Sequence, residues 1–139
     1  MLFLMLGGIA GLGIYTFVYA SGASYLSDNP AACANCHTMH TQFESWQKSG
    51  HKHVANCNDC HMPNNSFFTK YAAKSYNGFM HSYAMTTGGY PEALKITGFN
   101  RDVALLNCIR CHEGVVSNMA KTGTAAQADC LSCHRGVAH

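Results

Sequence analysis

The sequence predicts a small, mostly α-helical and irregular domain that follows a single N-terminal transmembrane helix. Three observations lead to this fold class. Residues 1–20 contain no charged side chain, and all eight cysteines fall in four Cys-x-x-Cys-His motifs. The chain has only 139 residues, which make one domain at most. So little protein around four motifs can form short helices and loops, but no conventional apolar core.

The N-terminal apolar segment is long enough to cross a bilayer. About 20 helical residues at 1.5 Å each span the roughly 30 Å hydrocarbon layer. A signal sequence is the alternative, because residues 21–23 are small and resemble a cleavage site. The apolar run is longer than a signal core and no basic residue precedes it, so we predict a retained anchor over residues 1–22 and a second domain over residues 23–139. A Gly7-x-x-x-Gly11 pattern in the anchor is compatible with self-association.

The four Cys-x-x-Cys-His motifs predict four covalently attached haem c groups, haems 1 to 4 in chain order. Both thiols of a motif bond to one porphyrin, and the histidine that follows can bind the iron. The spacing of the pairs also allows a four-cysteine zinc ribbon, but a histidine after every pair favours haem. We therefore predict a multihaem cytochrome c that transfers electrons. The attachment residues are Cys33, Cys36, Cys57, Cys60, Cys108, Cys111, Cys130 and Cys133, followed by His37, His61, His112 and His134.

The segment between the anchor and the first motif is short. Only 12 residues separate Ala20 from Cys33, so haem 1 must lie near the membrane surface. Within this segment, residues 28–30 (Asp-Asn-Pro) are typical of a helix start. Because haem of this kind is attached outside the cytoplasm, we predict a single-pass protein of the cytoplasmic (inner) membrane with its haem domain in the periplasm. A net charge of +2 with 12% charged residues argues against nucleic-acid binding.

The insert between the second and third motifs contains the longest predicted helix, from about Phe67 to Thr87, which Gly88 and Gly89 end. Its polar residues recur at helical spacing and share one face, the polar stripe. Two interpretations remain open. The stripe is solvated and the aromatic faces pack on haem, or the helix lies at the bilayer surface with the stripe turned toward haem 1. The polar stripe consists of Lys70, Lys74, Asn77 and His81.

A haem beside the membrane can be reduced by a lipid-soluble quinol, which gives up two electrons and two protons. Such a site needs an apolar slot with ionisable or hydrogen-bonding groups beside it. Lys74 and His81 are the candidates on the polar stripe, with Asn77 between them. We therefore predict quinol oxidation at haem 1 and conduction of electrons outward through the other haems.

Several features together resemble the NapC/NrfH family of tetrahaem quinol dehydrogenases. They are the single N-terminal anchor, the four motifs in two pairs, Met39 two residues after the first motif, the Ser-Gly-His51 segment and the terminal His134-Arg-Gly-Val-Ala-His139. The short branch of the family, the membrane subunit of cytochrome c nitrite reductase, is the most similar. The resemblance implies a subunit that oxidises menaquinol and passes electrons to a periplasmic pentahaem subunit, which reduces nitrite to ammonium.

The resemblance also implies axial ligands for the four irons. Met39 would bind haem 1 in place of His37. The ligand pairs would be His61 with His139 at haem 2 and His112 with His51 at haem 3. His134 would bind haem 4, whose sixth ligand in the family can come from a lysine of the catalytic partner.

Two further histidines need an assignment. His53 could reach the iron in place of His51, and spacing alone does not choose between them, whereas His40 is most simply an exposed polar residue. Lys74 matches the family's quinol-site lysine. The acidic residue that the family often has near this site is missing from the matching turn, which offers Asn77 and His81, so the identity of the proton acceptor stays open.

Three other functions compete with this interpretation. A NapC-type quinol dehydrogenase would feed a different periplasmic reductase. An electron shuttle would lack both a retained anchor and a quinol site, and would have two histidines at every iron. A zinc-binding interaction module would carry no haem.

Overall fold

The computed structural model describes residues 1–91, 93–121 and 129–139, which form helices and turns without a strand. The predicted mostly α-helical and irregular fold with one apolar N-terminal helix is confirmed. Short 3₁₀ helices cover Gly22–Leu26, Pro30–Asn35, His37–Met39 and Gly50–His53. The α-helices are α1 (Leu2–Tyr19), α2 (His40–Lys48), α3 (Cys57–His61), α4 (Phe67–Thr87), α5 (Gly98–Cys111), α6 (Glu113–Lys121) and α7 (Cys130–Cys133).

Helix α1 is the candidate membrane span. Its 18 residues have a mean hydropathy of 1.8, and none of them is buried against the rest of the protein. The helix therefore leaves its whole apolar surface available to lipid. The chain turns directly after it, where Ser21 has a φ of +52° before the 3₁₀ helix Gly22–Leu26.

The predicted helix start before the first motif is confirmed, although the helix is 3₁₀ rather than α. The side chain of Asn29 accepts a hydrogen bond of 2.9 Å from the backbone N–H of Ala31, and Pro30 occupies the first helical position. Proline fits there because its missing N–H would have no partner in the first turn. The short 3₁₀ helix leads straight to Cys33 and Cys36.

Helix α4 has the bounds that the sequence predicts. The Ser66 side chain caps its first turn, and Gly88 ends it in a left-handed conformation with a φ of +67°. The aromatic side chains Phe68, Phe79 and Tyr83 are exposed, whereas Lys74 of the polar stripe is buried. Within the polar stripe Lys74 and Asn77 are buried, Lys70 is half-buried and His81 is exposed. Lys70, Lys74 and His81 contact the chain that precedes the first motif.

The chain supplies little apolar core of its own. Within the described residues the buried apolar side chains are Ala73, Val103 and Ala104, and the buried polar ones include Asn58, Asn77 and Asn107. Such small buried side chains cannot stabilise a domain of this length by apolar burial alone. This agrees with the prediction that the chain forms no conventional apolar core.

Helices α3 and α5 pack together through a side chain at the third motif. Asn107, the residue before Cys108, donates from Nδ2 to the carbonyl oxygens of Cys60 (3.0 Å) and Met62 (2.9 Å). Its Oδ1 accepts a hydrogen bond of 3.1 Å from Asn64. These bonds hold the second and third motifs in one fixed arrangement.

Candidate functional site

Each of the four motifs lies in or at the end of a short helical turn. The second forms α3, the third ends α5 with His112 as the cap, and the fourth forms α7 with His134 as the cap. In a helical turn, side chains three residues apart lie on the same side. No disulfide joins the cysteines of the described chain. The two thiols of a motif are thus in a position to bond to one porphyrin.

The last residue of the chain lies beside the second motif. The Nε2 atoms of His61 and His139 are 3.4 Å apart, although the two residues are 78 positions apart in the sequence. Their rings are stacked, with centroids 5.7 Å apart and an angle of 16° between the planes. Burial lowers the pKa of both imidazoles, and for His61 the neighbouring His139 adds to the effect. Both side chains thus favour the neutral form that binds metal.

A second pair of imidazoles joins the third motif to the 3₁₀ helix Gly50–His53. The rings of His51 and His112 have centroids 6.3 Å apart at an angle of 64°. His53, two residues further along, is exposed. Across the described residues no ring contact joins His53 to His112. The structure therefore brings His51 to the third motif and leaves His53 aside.

The first and fourth motifs have no such second imidazole among the described residues. Met39 is half-buried at the end of the 3₁₀ helix that begins with the exposed His37. His40 is exposed, as expected, and its Nε2 lies 3.0 Å from the carbonyl oxygen of Ala34. His134 is exposed as well. The motifs at the two ends of the series thus differ from the two in the middle.

A cavity of about 380 Å³ is lined in part by Thr38, Gln42 and Leu94. The Oε1 atom of Gln42 is buried there without a hydrogen-bond partner among the described residues. Among all the described residues, no group of three or more histidine, cysteine, aspartate or glutamate side chains could hold a metal ion. The two cysteines of each motif, with a histidine directly after them, fit covalent attachment of haem.

Lys74 of the polar stripe is held by a carboxylate from the segment before the first motif. Its Nζ donates to Oδ1 of Asp28 (2.8 Å) and to the carbonyl oxygen of Ser27 (2.9 Å). Lys70 lies 2.5 Å from Oδ2 of the same carboxylate. The Lys74 side chain is 5% exposed and that of Asp28 is 45% exposed. Hydrogen bonds from Lys70 and then Lys74 hold the pKa of Asp28 below its usual value.

The second motif also contacts this carboxylate. Asn58, which lies between Cys57 and Cys60, donates from Nδ2 to Oδ1 of Asp28 over 2.9 Å. Asp28 therefore joins the polar stripe to the second motif. Sequence reasoning used Asp28 only as part of a helix start and missed this role.

His81 meets a tyrosine from the same segment. The hydroxyl of Tyr25 and Nδ1 of His81 share a hydrogen bond of 2.9 Å, and their rings meet edge to face with centroids 6.5 Å apart. The Tyr25 ring also packs on α4 at Gly78, where a Cβ atom would come within 3.4 Å of it. Burial, followed by the nearby sulfurs of Cys36 and Cys33, raises the pKa of Tyr25 to about 12. Burial lowers the pKa of His81.

Asn77 is placed differently from the other two catalytic candidates. Its amide exchanges two hydrogen bonds of 3.0 Å with the amide of Asn100, so it joins α4 to α5. Both polar atoms of this buried side chain are thus occupied. The structure brings Lys74 and His81 to the chain before the first motif, and gives Asn77 a partner within the fold.

Comparison with known proteins agrees with this arrangement. Residues 1–104 match the model of the NapC/NirT cytochrome c family, N-terminal region. The chain is 38% identical over 109 residues to the cytochrome c-type protein NrfH of Wolinella succinogenes. The matched residues cover 78% of this chain and 62% of that protein. It is also 25% identical over 166 residues to the cytochrome c-type protein TorY of Escherichia coli O157:H7. That match covers all of this chain and 44% of that protein. The chain thus spans less than two thirds of each of these relatives.

A solved structure is similar over nearly the whole length. It is the crystal structure of the cytochrome c nitrite reductase NrfHA complex bound to the HQNO inhibitor. One of its chains superposes with a TM-score of 0.66 and 29% sequence identity, over 96% of this chain and 88% of that chain. Fold and sequence therefore agree on the same group of proteins.

Proposed function

The chain belongs to the NapC/NirT cytochrome c family, and we propose that it is the membrane-anchored subunit that oxidises menaquinol and passes electrons through four haems c to a periplasmic pentahaem nitrite reductase. The observation that carries the proposal is the similarity to a chain of the NrfHA complex over almost the whole length. Members of this family are c-type cytochromes with a membrane anchor and a role in electron transfer.

The residues present fit four haems. Haem c supplies one-electron redox chemistry at its iron when it is bound. We assign Met39 to haem 1 and His134 to haem 4. Two imidazole pairs are assigned to the haems between them, supported by the close approach of the rings in each pair. These pairs are His61 with His139 and His51 with His112.

Lys74 and His81 are the residues that we assign to the quinol. Both lie on the face of α4 that meets the chain between the anchor and Cys33. The Lys74 ammonium is fixed by Asp28 and can donate a hydrogen bond to a quinol oxygen. His81 is exposed, and partial desolvation of its imidazole lowers its pKa, which favours the neutral ring that can accept a proton. Asn77 supports the site indirectly, because it holds α4 against α5.

The location of the site follows from the anchor. Helix α1 crosses the cytoplasmic membrane in this proposal, and the haem domain lies in the periplasm, where haem c is attached. The exposed aromatic residues of α4, such as Phe79 and Tyr83, face the headgroup region. At the other end of the series, His134 is exposed, so the catalytic subunit can dock there and supply the sixth ligand.

A NapC-type dehydrogenase that feeds a different reductase is the second candidate. The similarity to TorY over the whole chain supports it. The higher identity to NrfH and the superposition on the NrfHA complex favour nitrite reductase as the acceptor.

Purification in mild detergent, with identification of the proteins that remain bound, tests the acceptor. We expect a larger multihaem protein to copurify and the mixture to reduce nitrite with a quinol as donor. The matched control is a chain in which residues 1–22 are replaced by a cleavable signal sequence, which should keep the partner but lose quinol oxidation. Copurification of a different reductase would support the second candidate and contradict the first.

A further inference from the structure

Tyr25 and His81 form a pair at the boundary between the anchor and the haem domain. Tyr25 lies five residues after Ala20, and its hydroxyl is 2.9 Å from Nδ1 of His81. The ring of Tyr25 rests on Gly78 of α4, one turn before His81. The pair thus connects the start of the haem domain to the polar stripe. Because Nδ1 is engaged, only Nε2 of His81 is available to a substrate.

We propose that Tyr25 is a positioning residue for proton transfer, whose hydroxyl oxygen accepts the Nδ1–H of His81 and so leaves the lone pair on Nε2 for a quinol proton. In this step the O–H bond of the quinol breaks and an N–H bond forms at Nε2. The quinol releases two electrons and two protons in total, and the electrons leave through the haems. The first proton passes from Nε2 to water before the second follows the same route.

The chemistry of the two side chains supports this assignment. A neutral imidazole carries its hydrogen on one nitrogen only, and the partner of that nitrogen selects the tautomer. The same tyrosine oxygen can accept Nδ1–H before and after Nε2 is protonated, so the pair need not rearrange during the transfer. Partial burial raises the pKa of Tyr25 above an ordinary value that is already far above neutral, so Tyr25 keeps its own hydrogen at working pH and does not compete for the proton.

Other ionisable groups near the pair are few among the described residues. The sulfurs of Cys33 and Cys36 approach Tyr25 and do not titrate once they are thioethers. Lys74 lies two turns before His81 on the same face of α4, and it shares the Asp28 carboxylate with Lys70. Among the residues that the structure describes, Tyr25 is the hydrogen-bond partner of His81.

The inference rests on the proposed quinol oxidation, and the Tyr25→Phe variant tests it. Phenylalanine keeps the ring that packs on Gly78 and removes only the hydroxyl. We expect kcat for quinol oxidation to fall about tenfold, with KM and the Kd of HQNO unchanged. Tyr76→Phe is the matched control, because Tyr76 packs on Phe99 at another face of α4. It should behave as the wild type.

The pH dependence of quinol oxidation distinguishes a positioning role of Tyr25 from a packing role. Activity falls as pH decreases through the pKa of His81, because an imidazolium cannot accept a proton. Loss of the tyrosine oxygen costs the imidazolium more than the neutral ring, because hydrogen bonds to charged groups are the stronger ones. The acid limb of the pH–activity profile should therefore move to lower pH in Tyr25→Phe. In a His81→Gln background, Tyr25→Phe should have no further effect.

Three results would overturn the inference. They are an unchanged kcat and acid limb in Tyr25→Phe, an equal fall in kcat and in HQNO affinity, and a full tenfold effect of Tyr25→Phe in the His81→Gln background. A wild-type protein that is reduced by dithionite but oxidises no quinol would instead contradict the proposed function. The two failures are therefore distinguishable.

Discussion

Replacement of Lys74 by leucine should lower the rate of quinol oxidation by about 100-fold or more, the usual contribution of a positioned polar group at a proton-transfer site. The Lys74 ammonium is buried and fixed by Asp28, so it presents a hydrogen-bond donor in one geometry. Leucine fills a similar volume without a donor. Reduction of all four haems by dithionite, measured in the same sample by absorbance, should be unchanged.

The fold should survive this substitution. Asp28 remains paired with Lys70, and its carboxylate is 45% exposed, so no isolated charge is left buried. The matched control is Lys70→Leu, which removes the more exposed of the two lysines from the same carboxylate. An exposed ion pair contributes little, so we expect an effect within about fivefold. Equal losses in the two variants, or loss of dithionite reduction in Lys74→Leu, would show that Lys74 only stabilises the fold.

Replacement of His51 by alanine should convert one low-spin haem to a high-spin form. The His51 ring lies near that of His112, and we assign the two as axial ligands of haem 3. Removal of one ligand weakens the ligand field and alters the reduction potential. Electron paramagnetic resonance of the oxidised protein, with the absorbance spectrum, would detect the change.

His53→Ala is the matched control for this experiment. His53 lies in the same 3₁₀ helix, but it is exposed. Its replacement should leave the spectrum as in the wild type. A high-spin signal in His53→Ala with a normal spectrum in His51→Ala would instead assign His53 to haem 3 and leave His51 without that role.

The bounds of α4 could be predicted because its signals are local. Polar residues at helical spacing and two glycines at the end all lie within one segment. The direction in which the polar stripe faces could not be predicted. It depends on Asp28, which pairs with Lys74 from 46 positions away. Nothing in the spacing of the stripe reveals that carboxylate.

The same limit applies to the pairs of side chains at the candidate sites. Tyr25 and His81 are 56 positions apart, and Tyr25 carries no motif that marks it. His51 and His53 differ only in the direction in which one short 3₁₀ helix turns them. The proximity of His139 to His61 was predicted from the family resemblance. The contact itself depends on how the end of the chain folds back to α3.

The central claim is that this chain takes electrons directly from a quinol. Its most direct test is anaerobic mixing of the purified wild-type protein in detergent with a reduced menaquinone analogue, followed by haem absorbance. We predict that the quinol reduces haem before any reductase is added, that HQNO prevents this reduction, and that Lys74→Leu shows it at least about 100-fold more slowly. A protein that dithionite reduces fully and the quinol does not reduce at all would contradict the claim.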